Sequence, residues 1–192
     1  SPARYSELYA LAERGQLTIE ELNTDTFRIT AEQHRALYMK VANESDEALN
    51  EGSKLLKRSF RYNEQQAADG NDRLAQASKT AFEAAGFELQ SEHMRRMAAG
   101  DPMTRTEIQE FALKQIELFG ESYRAELQVE YEADIASIER DLPGLTIDQR
   151  DPLGSMDRYF NDLSSTVQDQ RRSVYAASKA RLRGKYSNQG LF

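Results

Sequence analysis

The hydrophobic residues of this chain recur three and four positions apart along most of its length, which is the spacing of one face of an α-helix. Residues 1–30 carry this spacing in short stretches, and the rest of the chain carries it in long ones. No stretch alternates with period two for long enough to indicate a strand. The pattern predicts an all-α protein of five or six helices. We expect an elongated antiparallel helical bundle with a short N-terminal helical hairpin and a heptad-bearing C-terminal helix.

Local capping signals mark where these helices begin and end. Gly15 follows the first apolar stretch at the position where a helix end needs a left-handed residue. Helix starts are indicated by a Thr followed three residues later by Glu or Gln, which is the spacing of a capping box. These pairs are Thr18 with Glu21, Thr30 with Gln33, and Thr104 with Glu107.

The helix that begins at Thr30 is predicted to run toward Asn63, and the middle of its apolar stripe is small. Ser45, Ala48 and Gly52 occupy it. A glycine inside a helix costs about 1 kcal/mol relative to alanine, so we expect a packing reason, the close approach of another helix. A local break after residues 43–47 is the alternative.

Two further helices are predicted, over residues 72–98 and from Thr104 to about Leu142, with a turn over residues 68–72. The second of them has two apolar faces, which predicts packing between neighbours on both sides. One face holds Ile108, Phe111, Leu118, Ala125 and Val129, and the other holds Ile116, Phe119, Tyr123 and Leu127.

The C-terminal helix has the most regular spacing. Three-four alternation runs through Leu153, Met156, Phe160, Leu163, Val167, Gln170, Val174 and Ala177. This is a coiled-coil seam of about three and a half heptads, and we expect helix packing at its first five positions. We expect a hairpin at 1–30 and a long-helix bundle at 31–192, together forming one domain.

Composition limits the function classes. Hydrophobic residues make up 39% and charged residues 30%, so the core is expected to be thin. The absence of cysteine excludes disulfides and thiolate metal sites. No apolar run reaches membrane-spanning length and no signal peptide is visible, so we expect no membrane span.

A basic segment near the C-terminus stands against an acidic remainder. The whole chain carries a net charge of −7. Residues 171–185 contain no acid, and Tyr175 within the segment and Tyr186 directly after it could stack on bases. Such a segment is a candidate contact for an anionic partner, including weak binding of nucleic acid. The alternative is ordinary solvated charge at a helix C-terminus. The candidate residues are Arg171, Arg172, Lys179, Arg181, Arg183 and Lys185.

No motif indicates catalysis, a cofactor or a metal. Neither His34 nor His93 has the helical Glu spacing of a di-metal site. The glycines are scattered, so no phosphate-binding loop is formed. Glu121-Ser122 matches two residues of the lytic transglycosylase signature, and the other elements of that signature are missing. We therefore expect a protein that is not an enzyme.

Residues 5–42 resemble segments of the internal virion and ejection proteins of tailed bacteriophages. The shared pattern is a helix, a Gly-x-Leu-Thr turn, a short acidic helix, a threonine cap and an Arg-x-Leu helix. About a fifth of the chain is covered, and the motif is structural, so no functional residue is carried over. Small bacterial oligomerisation hairpins of the short C-terminal type are similar too. The matching residues are Leu8, Leu11, Gly15, Leu17, Thr18, Leu22, Ile29, Thr30, Arg35 and Leu37.

The resemblance implies a structural virion component that self-associates or packs against other virion proteins, and therefore a location in a virion or in the host cytoplasm. One alternative is a bacterial adaptor or scaffold that oligomerises through the C-terminal heptads. A remote alternative is a peptidoglycan-cleaving lytic enzyme.

Overall fold

The computed structural model describes residues 1–68, 70 and 72–192. This part of the chain is helical, without a strand, so the predicted all-α class is confirmed. The predicted turn over 68–72 includes Asp69 and Asn71, which lie outside the described residues. The helices are α1 (Pro2–Glu13), α2 (Ile19–Thr24), α3 (Ala31–Ser59), α4 (Glu64–Ala67), α5 (Arg73–Ala98), α6 (Arg105–Asp141), α7 (Pro152–Asn161) and α8 (Ser165–Tyr186).

The chain forms two compact units, Ser1–Arg124 and Ala125–Phe192, and their boundary falls inside α6. The division therefore differs from the expected one at residue 30. Residues 1–30 belong to the first unit because their apolar side chains share a core with α3. Leu8 and Leu22 are fully buried in that core together with Leu37 of α3.

The predicted capping signals are confirmed at all three helix starts. The side chains of Thr18, Thr30 and Thr104 accept hydrogen bonds from backbone N–H groups three residues ahead, and each box has its reciprocal bond. Gly15 has φ 67°, and its carbonyl accepts a 3.0 Å hydrogen bond from the backbone N–H of Arg105. The N-terminal hairpin is thus fastened to the start of α6.

The packing reason expected for Gly52 is confirmed. A Cβ on Gly52 would lie 3.1 Å from Cγ2 of Ile108 and 3.2 Å from Cδ2 of Leu89. Ile108 belongs to α6 and Leu89 to α5, so three helices meet where α3 has no side chain. The break considered after residues 43–47 does not occur, since α3 is continuous there.

The prediction that α6 is covered on both faces is wrong. Leu118 and Val129 are 61% and 59% exposed, and Ala125 is exposed too. These residues follow a spacing of seven and four, and a seven-residue repeat drifts around a straight helix. The buried stripe takes Ile108 from the first predicted face and Tyr123 and Leu127 from the second, and its other members are Ala112, Gln115, Tyr131 and Ile138.

The prediction of a single heptad-bearing C-terminal helix is also wrong. α7 ends at Asn161 and α8 begins at Ser165. Ser164 is extended and its side chain caps α8, while the amide of Gln168 donates to the carbonyl of Phe160, so both helix ends are satisfied. Met156 and Phe160 are buried, Leu153, Leu163 and Val167 are half-buried, and Gln170, Val174 and Ala177 are exposed.

α7 and α8 pack against each other instead of forming one long seam. The rings of Phe160 and Tyr175 stack with centroids 4.2 Å apart. Among the described residues, no helix has the length and hydropathy of a membrane span.

Candidate functional site

The basic segment predicted to meet an anionic partner lies on α8 in the second unit. Its cations face acidic residues of α6 and α7 within that unit. Arg181 and Lys185 both bond to Asp134 of α6, Lys185 also bonds to Glu130, and Lys179 bonds to Asp157 of α7. These partners lie between 22 and 55 residues earlier in the chain, so no local sequence signal reveals them.

Asp134 is the centre of this network. Asp134 is 6% exposed, and its carboxylate accepts hydrogen bonds from Tyr186 and Arg181 and, at 3.2 Å, from Lys185. Burial, together with the hydrogen bond to Asp134, raises the pKa of Tyr186 above its ordinary value. A buried carboxylate with two cations and a phenol is satisfied internally, so it holds α8 against α6.

An aromatic cluster extends the contact around Asp134. The rings of Tyr131 and Tyr186 pack edge to face with centroids 5.0 Å apart, and Phe192 stacks on Tyr131 at 5.8 Å. The hydroxyl of Tyr131 donates to the carbonyl of Gln149 at 2.7 Å. Burial raises the pKa of Tyr131 to about 12, so this phenol keeps its proton and its donor role even at alkaline pH values where an exposed tyrosine ionises.

Asp157 forms a second anchor between α7 and α8. It accepts hydrogen bonds from Lys179 Nζ at 2.6 Å and from the hydroxyl of Tyr175. The bond from Lys179, with that from Tyr175, lowers the pKa of Asp157 below its ordinary value. Tyr175, one of the tyrosines considered for base stacking, already stacks on Phe160.

The remaining cations of the segment differ in their pairing. Arg171 donates to the carbonyl of Pro143 at 3.0 Å and to the hydroxyl of Tyr159. Arg172 pairs with Asp169 at 3.2 Å, where both side chains are more than half exposed. Within the described part of the chain, Arg183 is exposed and has no ion-pair partner. The segment is therefore mainly a clamp inside the second unit.

Sequence reasoning gave His93 no role, and the structure places it in a buried polar cluster of the first unit. His93 is 5% exposed; Nε2 lies 3.0 Å from Oδ1 of Asp46 and Nδ1 lies 3.4 Å from Oγ of Ser45. The three residues have the composition of a hydrolase triad with the exposure reversed. Ser45 is 1% exposed, whereas the Asp46 side chain is 61% exposed. A nucleophile must reach substrate, and the buried Ser45 cannot. The cluster therefore has a structural role, which is to join α3 to α5.

The other residues weighed for chemistry lie apart from any constellation. His34 is bonded to Asn23 near the surface, at 3.0 Å. Glu121 is exposed on α6. Among the described residues, no group of three or more His, Asp or Glu side chains is arranged to hold a metal ion.

Large apolar side chains are exposed on two helices of the first unit, and those on α5 form the second candidate site. On α5, Phe87 is 71% exposed and Met94 is 60% exposed. On α6, Leu113 and Leu118 are 52% and 61% exposed. Phe87 and Met94 lie seven residues apart, so they share one helix face. Single exposed apolar residues are ordinary, whereas two on one helix face are a candidate surface for binding protein, because a partner that covers both removes apolar surface from water.

Comparison with known proteins gives no match to a family model, to a curated protein or to a solved structure.

Proposed function

We propose that this chain is a non-enzymatic structural protein, a component of a tailed-phage virion, that works by binding copies of itself or other virion proteins. The observation that carries the proposal is the exposed pair Phe87 and Met94 on α5. Exposing these side chains to water costs free energy that burial against a partner regains, at roughly 25 cal/mol per Å² of apolar surface. An exposed apolar pair on one face of a helix suits assembly.

The N-terminal segment supports the virion part of the proposal through its resemblance to phage internal proteins. Most of its matching residues serve the fold. Leu8, Leu17 and Leu22 are buried, Gly15 makes the left-handed turn, and Thr18 caps α2. A segment whose matching residues serve packing and capping suits the structural role that the resemblance implies.

The two alternatives gain no support. An adaptor assembling through C-terminal heptads needs one long helix, and α7 and α8 are separate. A peptidoglycan-cleaving enzyme needs an acid in a cleft, and Glu121 is exposed on a helix surface. Nucleic-acid contact at α8 is limited to weak, non-specific binding, because most of its cations are already paired.

The test is whether the chain resides in assembled particles. Virions of the phage that encodes it are purified on a density gradient, washed in high salt, and analysed by quantitative mass spectrometry. We expect the chain to band with the capsid protein at a fixed copy number in every gradient fraction. A chain that is abundant in the lysate and missing from the particles would rule out the virion role. A non-structural phage protein measured in the same fractions sets the background.

A further inference from the structure

A second stripe runs along α5 on the side away from the core. It alternates three and four residues apart without interruption for 22 residues, about 33 Å of helix. On a helix of 3.6 residues per turn, its mean direction lies roughly 150° from that of the buried stripe that includes Ala85 and Leu89. The outer stripe consists of Ala77, Thr80, Ala84, Phe87, Ser91, Met94 and Ala98.

The outer stripe has the three-four spacing of a coiled-coil seam, and its residue sizes alternate. Phe87 and Met94 are large, and the neighbours on either side, Ala84, Ser91 and Ala98, are small. Small residues in a helix seam let a second backbone approach closely and accept a large side chain from it. The stripe therefore holds both the knobs and the holes of one interface.

We infer that the outer stripe of α5 binds the outer stripe of a second copy of this chain, with the two helices antiparallel. In the register that aligns the two seams, Phe87 faces Ser91 of the second copy and Met94 faces its Ala84. Thr80 faces Ala98, and the two-fold axis repeats each contact. This inference rests on the proposed assembly function and names its surface and partner.

Antiparallel pairing is favoured over parallel pairing by the sizes of the facing side chains. In a parallel, in-register pair, Phe87 would meet Phe87 and Ala84 would meet Ala84, so overfilled layers would alternate with empty ones. Both overpacking and cavities destabilise a core. In the antiparallel register each of the central layers holds one large and one small side chain, so the layers are filled evenly.

The interface is expected to be weak. A stripe about 33 Å long on a helix about 10 Å wide covers roughly 330 Å² on each copy, less than half of a standard interface. Glu88 flanks the centre and would lie near Glu88 of the second copy, which weakens the pair through like-charge repulsion. A trapping experiment complements an equilibrium measurement for such an interface, because it accumulates a pair that is populated only in part.

The absence of cysteine from the natural chain makes disulfide trapping unambiguous. In the double variant Ala84→Cys/Met94→Cys, the two positions of one chain are about 15 Å apart along the helix, beyond the reach of a disulfide. They are adjacent only across the antiparallel pair. We expect mild oxidation to give a covalent dimer of the double variant. Each single variant stays monomeric, since its two copies lie about 15 Å apart across the interface.

Controls separate trapping from collision. The double variant Glu47→Cys/Lys57→Cys has the same spacing on an exposed face of α3 and should remain monomeric under the same conditions. Glu88→Gln in the trapping background should speed dimer formation several-fold, because it removes the repulsion. Equal trapping in the α3 control, or faster trapping of a single α5 variant, would overturn the antiparallel register.

The results also distinguish this inference from the proposed function. If purified virions contain the chain and the α5 double variant traps no dimer, the self-association surface is wrong and the virion role stands. If the dimer is trapped and virions lack the chain, the surface stands and the virion role falls.

Discussion

Gly52 provides a sharp test of the packing in the first unit, because α5 offers a matched control. Replacing a glycine by alanine inside a helix stabilises the helix by about 1 kcal/mol. A methyl group added at Gly86 would meet no atom within 4 Å beyond the adjoining backbone of its own helix, so Gly86→Ala should realise that gain in full. At Gly52 the added methyl group would press on Ile108 and Leu89, at 3.1 and 3.2 Å.

The cost at Gly52 follows from how little its neighbours can move. Ile108 is 1% exposed and Leu89 is 0% exposed, so neither can rotate toward solvent. Overpacking a core in this way typically costs about 1–3 kcal/mol. We therefore expect Gly52→Ala to be neutral or up to about 2 kcal/mol less stable, and Gly52→Val to be less stable still.

Urea unfolding followed by circular dichroism measures both variants under the same conditions. The free energy of unfolding should differ by about 1–3 kcal/mol between Gly86→Ala and Gly52→Ala. If Gly52→Ala raises stability as much as Gly86→Ala does, then α3, α5 and α6 do not approach one another as closely as the structure has them.

Two further predictions concern the second unit. The pKa of Asp157 is lowered in the folded state, so its stabilising bonds with Lys179 and Tyr175 act fully above about pH 4 and are lost as the pH falls further. The difference in thermal midpoint between the natural chain and Asp157→Asn should narrow steadily as the pH falls below about 4, and a difference that stays constant there would refute the assignment. DNA binding, measured by anisotropy, should be weak at about 50 mM salt and undetectable at about 200 mM. The double variant Arg172→Gln/Arg183→Gln should abolish this DNA binding. Unaltered binding would show that these cations of α8 do not bind DNA.

Helix caps and close-packing glycines were predictable from sequence because each depends on residues that lie within a few positions of one another or within one helix pattern. The bonds of a capping box join residues three apart, so Thr18, Thr30 and Thr104 could be identified from spacing alone. Gly52 was predictable for a similar reason, since a glycine inside a strong helix pattern needs an explanation, and close packing supplies it.

Features that depend on contacts between residues far apart in the sequence were not predictable. A three-residue break between α7 and α8 keeps the three-four phase of the apolar residues, so periodicity alone cannot distinguish a hairpin from one helix. Ser164 was the available signal, as a capping residue ahead of Val167. Asp134 is more than 40 residues from Arg181, so the pairing that neutralises the basic segment appears only in three dimensions.

Sedimentation equilibrium tests most directly whether the chain assembles through the outer stripe of α5. The natural chain should show a mass that rises with concentration from 21.9 kDa toward twice that value. The double variant Phe87→Ser/Met94→Ser should stay at 21.9 kDa throughout, and the matched α6 variant Leu113→Ser/Leu118→Ser should associate like the natural chain. A natural chain that remains at 21.9 kDa at every concentration, or an α5 variant that associates as strongly as the natural chain, would contradict the account.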